Sequence, residues 1–174
     1  MKTSSGRIAF IAVMAALTTL TNLIMVPMPQ PLAQYDLSPV LIYTLGVLVD
    51  PFTAAVTIAL AMMAGVGYKV MTFGFPAVFI LGAMVARGLE AAFISWLVRT
   101  RKSDETMTVT RWEIMVMGLG AVFETVAFFV FDWYLFGWSV ALTVLATIVD
   151  AVFIPVAVGV IVAIRKNMGV YRLM

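Results

Sequence analysis

The 174-residue chain contains no cysteine and no histidine. Their absence excludes disulfide bonds, thiolate chemistry, zinc or nickel sites built on imidazole, and most nucleophile–base pairs. The chain also lacks the ATP-binding pattern G-x-x-x-x-G-K-[ST] and the G-x-G-D setting of an intramembrane aspartyl protease. We therefore expect that the protein is not an enzyme, that it binds no cofactor or metal, and that it has no ATPase of its own.

Charged residues are also scarce. They make up 11% of the chain, against roughly a quarter in soluble domains, while 63% of the residues are hydrophobic. The mean hydropathy of +1.08 indicates a polytopic protein of the lipid bilayer, forming a single domain over 1–174. The net charge of +2 is too small to indicate nucleic-acid binding. The first residues resemble a signal peptide, but no small-residue cleavage pattern follows, so we interpret them as a retained first span.

The apolar runs predict an all-α integral membrane protein with six transmembrane helices. The second and third runs, which flank Asp50-Pro51, could instead form one kinked helix. With six spans, only Lys69 and Arg87 of the 11 basic residues fall outside the cytoplasmic segments, as the positive-inside rule requires. We therefore predict that both termini are cytoplasmic, that the protein lies in the cytoplasmic membrane, and that Pro155 kinks the last span. The approximate spans are 8–26, 39–49, 52–67, 75–98, 112–131 and 140–164.

The segment between the first two spans is long and rich in helix-breaking residues. Prolines alternate at positions 27, 29 and 31, and Ser38-Pro39 is a favourable N-cap and first-turn pair for the next helix. We expect a loop of this length and mixed chemistry to contact a ligand.

Four ionisable residues are predicted to lie inside the membrane, where charges are costly and usually functional. Arg87 and Glu90 share one face of the fourth span, and Glu124 and Asp150 lie at similar depth in the fifth and sixth. The group could be structural, with Arg87 neutralising the carboxylates, or it could be a polar floor beneath a ligand. The aromatic residues near Asp132 could likewise be an interfacial belt or a stacking wall.

Several features together resemble the substrate-binding S component of an energy-coupling factor (ECF) transporter. They are the small six-span architecture, the pattern Ala12-x-x-x-Ala16, the segment YDLSP at 35–39, a short second helix, and VDP at 49–51. The YDLSP segment is similar to the riboflavin-binding branch. Two departures are that Asp-Pro replaces the Gly-Pro of many members, and that the fourth-helix motif of that branch is not evident in 81–93.

The resemblance implies a pocket that opens to the outside and binds a vitamin or similar small heteroaromatic molecule. Riboflavin is the first candidate, and a thiamine-like cation is the second because acidic groups exceed basic ones in the spans. The cobalt and nickel branch is disfavoured because it needs histidine. The implied substrate-binding residues are Gln30, Gln34, Tyr35, Asp36, Tyr68, Lys69 and Phe73 from two outer loops, with Phe79, Phe128, Asp132, Trp133 and Trp138 as the wall.

The resemblance also implies partners, namely a transmembrane coupling subunit and two ATPase subunits that supply the energy. Ala12 and Ala16 would be the docking surface for the coupling subunit, although their spacing fits packing inside the bundle equally well.

Two other classes of membrane protein stay open. One is a six-helix scaffold of the rod-shape MreD type, which has no reason to gather polar and aromatic residues at its outer loops. The other is a stand-alone proton-coupled carrier, with Glu124 or Asp150 as the proton site.

Overall fold

The structure of the protein is a computed structural model that describes residues 4–26, 35–101 and 108–167, with Val26 and Tyr35 described by their backbone alone. These residues are almost entirely helical. A two-residue antiparallel pair, β1 (Met25–Val26) with β2 (Tyr35–Asp36), closes the loop after the first helix. The helices are α1 (Ser4–Leu23), α2 (Ser38–Leu48), α3 (Pro51–Phe73), α4 (Val78–Thr100), α5 (Arg111–Phe136), α6 (Trp138–Val144), a 3-10 segment (Leu145–Phe153) and α7 (Ile154–Asn167).

Five helical segments are long and apolar enough to cross a membrane: α1, α3, α4, α5 and the continuous stretch Trp138–Asn167. Long apolar helices of this kind indicate a membrane-embedded protein. The sixth segment, α2, has 11 residues and is about 16 Å long, which is only about half of a hydrocarbon core. Nine of its residues are buried, so α2 is a core helix surrounded by the longer ones.

The predicted break at Asp50-Pro51 is confirmed. Helix α2 ends at Leu48, and the Asp50 side chain caps α3 by accepting a hydrogen bond from the Thr53 backbone N–H at 3.0 Å. Pro51 takes the first helical position, where its missing N–H costs nothing. Two helices therefore form here in place of one kinked helix.

Side-chain contacts define two ends of the bundle. Arg7 near the start of α1 pairs with Asp50 at 2.8 Å, Ser95 donates to the Val49 carbonyl, and Trp112 donates to the Leu97 carbonyl at 3.2 Å. We call this the basic end, because it carries Arg7, Arg99, Arg111 and Arg165. The opposite, aromatic end carries Phe73, Phe136 and Trp138. Successive segments alternate in direction, so the start of α1 and the end of α7 both lie at the basic end.

Two helices run further than predicted. Helix α3 continues to Phe73 and α5 to Phe136, so the residues at 68–73 and 132–136 are helical, and the loops predicted there are wrong. A helix satisfies its own backbone groups, which favours its continuation through polar and aromatic residues at membrane depth. The two helices end at Gly74 and Gly137, where φ is 73° and 85° and a side chain would be strained.

The start of α2 and the last span also differ from expectation. Leu37 is the N-cap of α2 and Ser38 is its first residue, so the predicted cap at Ser38 is displaced by one position. In the last span, the 3-10 segment lies directly before Ile154-Pro155. Pro155 cannot donate a hydrogen bond to the carbonyl four residues earlier, and its ring crowds that carbonyl, which explains the irregular helix there.

Candidate functional site

Arg87 lies in the middle of the bundle and contacts four other elements. Its Nε donates to Glu124 Oε1 of α5 at 2.7 Å, and its Nη1 donates to Ser38 Oγ of α2 at 2.6 Å. Its Nη2 reaches Asp150 Oδ2 in the 3-10 segment at 3.4 Å, and Nη1 also lies 3.5 Å from Asp36 Oδ1. The sequence placed Arg87, Glu124 and Asp150 at similar depth, and the structure brings the three together.

Asp36 is a second point of convergence. Its Oδ2 accepts from Lys69 Nζ of α3 at 3.0 Å and from Asn22 Nδ2 of α1 at 2.8 Å. Its Oδ1 accepts from the backbone N–H and the hydroxyl of Ser38, an arrangement that also satisfies the first N–H of α2. Burial alone would raise the pKa of Asp36, but the charges of Arg87 and Lys69 and these hydrogen bonds outweigh it, so the pKa lies below its ordinary value.

The short length of α2 sets the depth of this site. Arg87 is nine residues from the start of α4, about 13 Å along the helix, and it contacts Ser38 at the very start of α2. Helix α2 therefore begins well below the aromatic end of its neighbours. Asp36, although it precedes the helix, is consequently buried among α1, α3 and α4.

Acidic groups outnumber basic groups here. We use the name Arg87 cluster for six buried side chains from five elements. They are Asp36, Lys69, Arg87, Glu90, Glu124 and Asp150, each less than one-tenth exposed. With every group ionised, four carboxylates would face two cations and leave the cluster with two excess negative charges. Among the described residues, neither carboxyl oxygen of Glu90 has a hydrogen-bond partner. Within the same ranges, no three acidic side chains are arranged to hold a metal ion.

Three further candidates share helix faces with the cluster. Phe128 lies one turn beyond Glu124 towards the aromatic end and packs against the buried core. Phe73 lies one turn beyond Lys69 on α3 and is exposed at the aromatic end. Asp132 is buried two turns beyond Glu124, and its Oδ1 has no partner among the described residues. Phe128 and Asp132 therefore lie between Glu124 and the aromatic end along α5, as Phe73 does beyond Lys69 along α3.

The predicted aromatic wall does not form as one surface. Trp133 and Trp138 lie 5.9 Å apart and pack around Phe129 on an exposed flank of α5 and α6. Trp133 is 53% exposed and its neighbour Asp132 only 5%, because successive helical residues point about 100° apart. This geometry favours the interfacial belt over the stacking wall for the two tryptophans.

Of the remaining candidates, Tyr68 is half-exposed on α3 beside the buried Lys69. The ring of Phe79 packs against that of Phe136 in a tilted arrangement, with the centroids 5.3 Å apart, between α4 and α5. Gln30 and Gln34 lie outside the described residues, and Tyr35 contributes its backbone to β2.

Sequence reasoning did not select Asn22 or assign the contacts of Ser38. Asn22 is fully buried and donates to Asp36, and Ser38 bonds both Asp36 and Arg87. The available signal for Asn22 was a single amide in the otherwise apolar run 8–26. Ser38 had a plausible role as a helix cap, which concealed its part in the cluster.

Ala12 and Ala16 lie on an exposed face of α1. The residues that α1 buries are Thr18 and Asn22, on another side of the helix. The interpretation that the Ala12-x-x-x-Ala16 face packs inside this bundle is therefore wrong. Within the described chain, no other element buries this face.

Comparison of the chain with protein-family models, with curated proteins and with solved structures gives no match.

Proposed function

We propose that the protein is the high-affinity substrate-binding membrane subunit of an ECF-type importer for a vitamin or similar small heteroaromatic molecule. The observation that carries the proposal is that the Arg87 cluster contains carboxyl oxygens without a hydrogen-bond partner among the described residues. The cluster lies at the start of α2, well below the aromatic end of the bundle. A cluster that only joined helices would match its charges, because an unpaired buried charge is strongly destabilising. Unmatched carboxylate oxygens deep in the bundle instead suit a bound polar ligand.

The described residues supply the two kinds of contact that such a ligand needs. Phe73 and Phe128 lie on the same helices as Lys69 and Glu124 and nearer the aromatic end, and aromatic faces suit a flat heteroaromatic ring. Asp36, Lys69 and Asp132 offer charged groups that orient polar substituents. Riboflavin remains the first candidate on the resemblance of the YDLSP segment. A thiamine-like cation is the second, supported by the excess of carboxylates.

The exposed alanine face of α1 supports the second half of the proposal. Small residues allow another helix to approach closely, so Ala12 and Ala16 are the proposed contact for the coupling subunit. Two ATPase subunits bound to that partner would supply the energy, consistent with a chain that has no ATP-binding pattern. In this proposal the basic end faces the cytoplasm, in agreement with the positive-inside rule.

The first test is mass spectrometry of small molecules released from the detergent-purified protein, together with its visible absorbance. A flavin-bearing yellow preparation supports both the class and the substrate, and a different vitamin keeps the class and changes the substrate. An empty protein that is not thermally stabilised by any of a panel of vitamins would contradict the proposal.

The docking surface is tested separately by co-purification with an ECF coupling subunit. Ala12→Trp with Ala16→Trp should abolish capture while leaving vitamin binding intact. Leu119→Trp, at an exposed position of α5, is the matched control and should leave capture unchanged. Capture of the double variant at the wild-type level would contradict the assigned surface.

A stand-alone proton-coupled carrier is the second candidate, favoured by the carboxyl oxygens of Glu90, which have no partner among the described residues. Reconstituted vesicles that contain this chain alone distinguish the two functions. Uptake of the co-purified molecule driven by a pH gradient, without any ATPase, would support the carrier and exclude the dependence on a coupling subunit.

A further inference from the structure

Glu90 is the least satisfied charged group among the described residues. Its side chain is 0% exposed, and neither of its carboxyl oxygens has a hydrogen-bond partner within the described ranges. It faces α5 at Gly120, where a Cβ atom would lie 3.5 Å from Glu90 Oε1. The space left by the missing Gly120 side chain is filled by Ile94, and the glycine offers the Glu90 carboxyl group no side-chain donor.

The neighbouring elements do not supply a positive charge dedicated to Glu90. On its own helix, Arg87 directs its hydrogen bonds to Glu124, Ser38, Asp36 and Asp150. Helix α5 and the 3-10 segment contribute two further acids, Glu124 and Asp150, whose negative charges would repel an ionised Glu90. Helix α3 contributes Lys69, which is bonded to Asp36. Helix α2 contributes only the hydroxyl of Tyr43, which has no partner in the described chain.

A carboxylate in this position would carry a full charge in a buried site beside two other carboxylates and without a hydrogen bond, which is far more costly than a neutral acid. We propose that Glu90 holds a proton in the folded protein, so that the Arg87 cluster contains a buried proton-binding site. During folding the carboxylate takes up one proton from a hydronium ion or a buffer acid, which leaves as water or as the conjugate base, and the O–H bond of a neutral carboxylic acid forms. This proposal rests on the ligand-free cluster and does not depend on the proposed function.

Infrared spectroscopy of the full-length protein in lipid tests the proposal directly, because a protonated carboxyl group has a carbonyl stretch that a carboxylate lacks. We expect a band in the region of weakly hydrogen-bonded carboxylic acids at neutral pH, and we expect Glu90→Gln to remove it. Glu113→Gln is the matched control, since Glu113 is also buried but is paired with Arg165 at 2.6 Å. Asp132→Asn shows which part of the carbonyl band, if any, belongs to that other buried acid.

A spectrum in which Glu90→Gln removes no carbonyl band would overturn the proposal. Loss of the carbonyl band from the wild type when one alkali cation is added, together with a higher thermal stability in that cation, would also overturn it. The occupant of the site would then be the cation. If Glu90→Gln does not fold, wild-type protein with carboxyl-13C glutamate provides the second measurement. A carbonyl band that shifts with this label belongs to a protonated glutamate, and an unshifted band would exclude Glu90.

Discussion

At the basic end the two described acids, Asp50 and Glu113, each form one ion pair, whereas in the Arg87 cluster one guanidinium contacts several carboxylates. Asp50 pairs with Arg7 at 2.8 Å, and Glu113 pairs with Arg165 at 2.6 Å. Both acids also cap a helix, because Asp50 is the N-cap of α3 and Glu113 completes the capping box of α5. Every charge at these two sites therefore has a local structural role.

The charges of the Arg87 cluster are not matched one to one in this way. It joins five elements, contains two more acids than bases, and leaves carboxylate oxygens without partners in the described chain. Matched pairs at helix ends explain how the segments are held in register. An unmatched cluster in the interior requires a different explanation, which is a bound ligand or proton. The following predictions compare the two regions.

The largest effect is expected for Arg87→Met. This change leaves Glu124, Asp150 and Asp36 buried without their common partner, and breaking a buried ion pair in this way costs about 3–5 kcal/mol. The measurement is the folded yield and the free energy of unfolding in detergent. Lys69→Met is the control and should cost less, because Asp36 keeps its bonds to Ser38 and Asn22. Equal stability of Arg87→Met and wild type would show that the cluster does not hold the helices together.

A smaller effect is expected for Glu113→Ala at the basic end. The substitution removes a capping box and an ion pair that is largely buried, for a combined loss of about 2 kcal/mol in the free energy of unfolding. Glu113→Gln separates the two contributions, since glutamine also serves in a capping box but carries no charge. A Gln variant as unstable as the Ala variant would assign the whole effect to the Arg165 pair.

Arg7→Ala should have a still smaller effect. The pair with Asp50 is exposed, with side-chain exposures of 42% and 33%, and such pairs contribute roughly 0–1 kcal/mol. Because salt screens exposed charges, the difference from wild type should shrink as ionic strength rises. Thermal unfolding at low and high salt measures it. A large, salt-independent loss would mean that Arg7 acts mainly through Thr53 and Phe52, which it also contacts.

The sequence was sufficient for features that depend on local chemistry or on the cost of charge in a membrane. The Asp50-Pro51 break follows from proline and from a capping side chain, and both act within one helical turn. The convergence of Arg87 with Glu124 and Asp150 follows because an isolated charge in a bilayer must find a partner at its own depth.

Other features depend on how deep each helix lies, which periodicity does not reveal. Asp36 reaches Arg87 because α2 starts about 13 Å below the start of α4, and the same depth brings Asn22 into contact. The expected grouping of Asp132 with Trp133 assumed a turn. In a helix, neighbouring residues point in different directions, so the two residues were separated.

The smallest effect at neutral pH is expected for Asp50→Asn, and its pH dependence is informative. Burial alone would raise the pKa of Asp50, but hydrogen bonds from the Thr53 side chain and backbone and the charge of Arg7 outweigh it and lower the pKa. The stabilisation is therefore fully present above the unfolded-state pKa of about 3.9 and is lost as the pH falls through the lower folded-state pKa.

Asparagine is an equally good N-cap, so Asp50→Asn should cost little at pH 7 beyond the exposed pair with Arg7. The difference in thermal stability between variant and wild type should then decrease as the pH falls below about 4, and it should be lost below the lower folded-state pKa, where Asp50 is neutral in both states. Because Asp36 titrates in both proteins, its contribution to the pH dependence of stability cancels in this difference. A difference that stays constant from neutral to acid pH would show that the Asp50 charge does not stabilise the basic end, and the contrast with the Arg87 cluster would then rest on Glu113 and Arg165 alone.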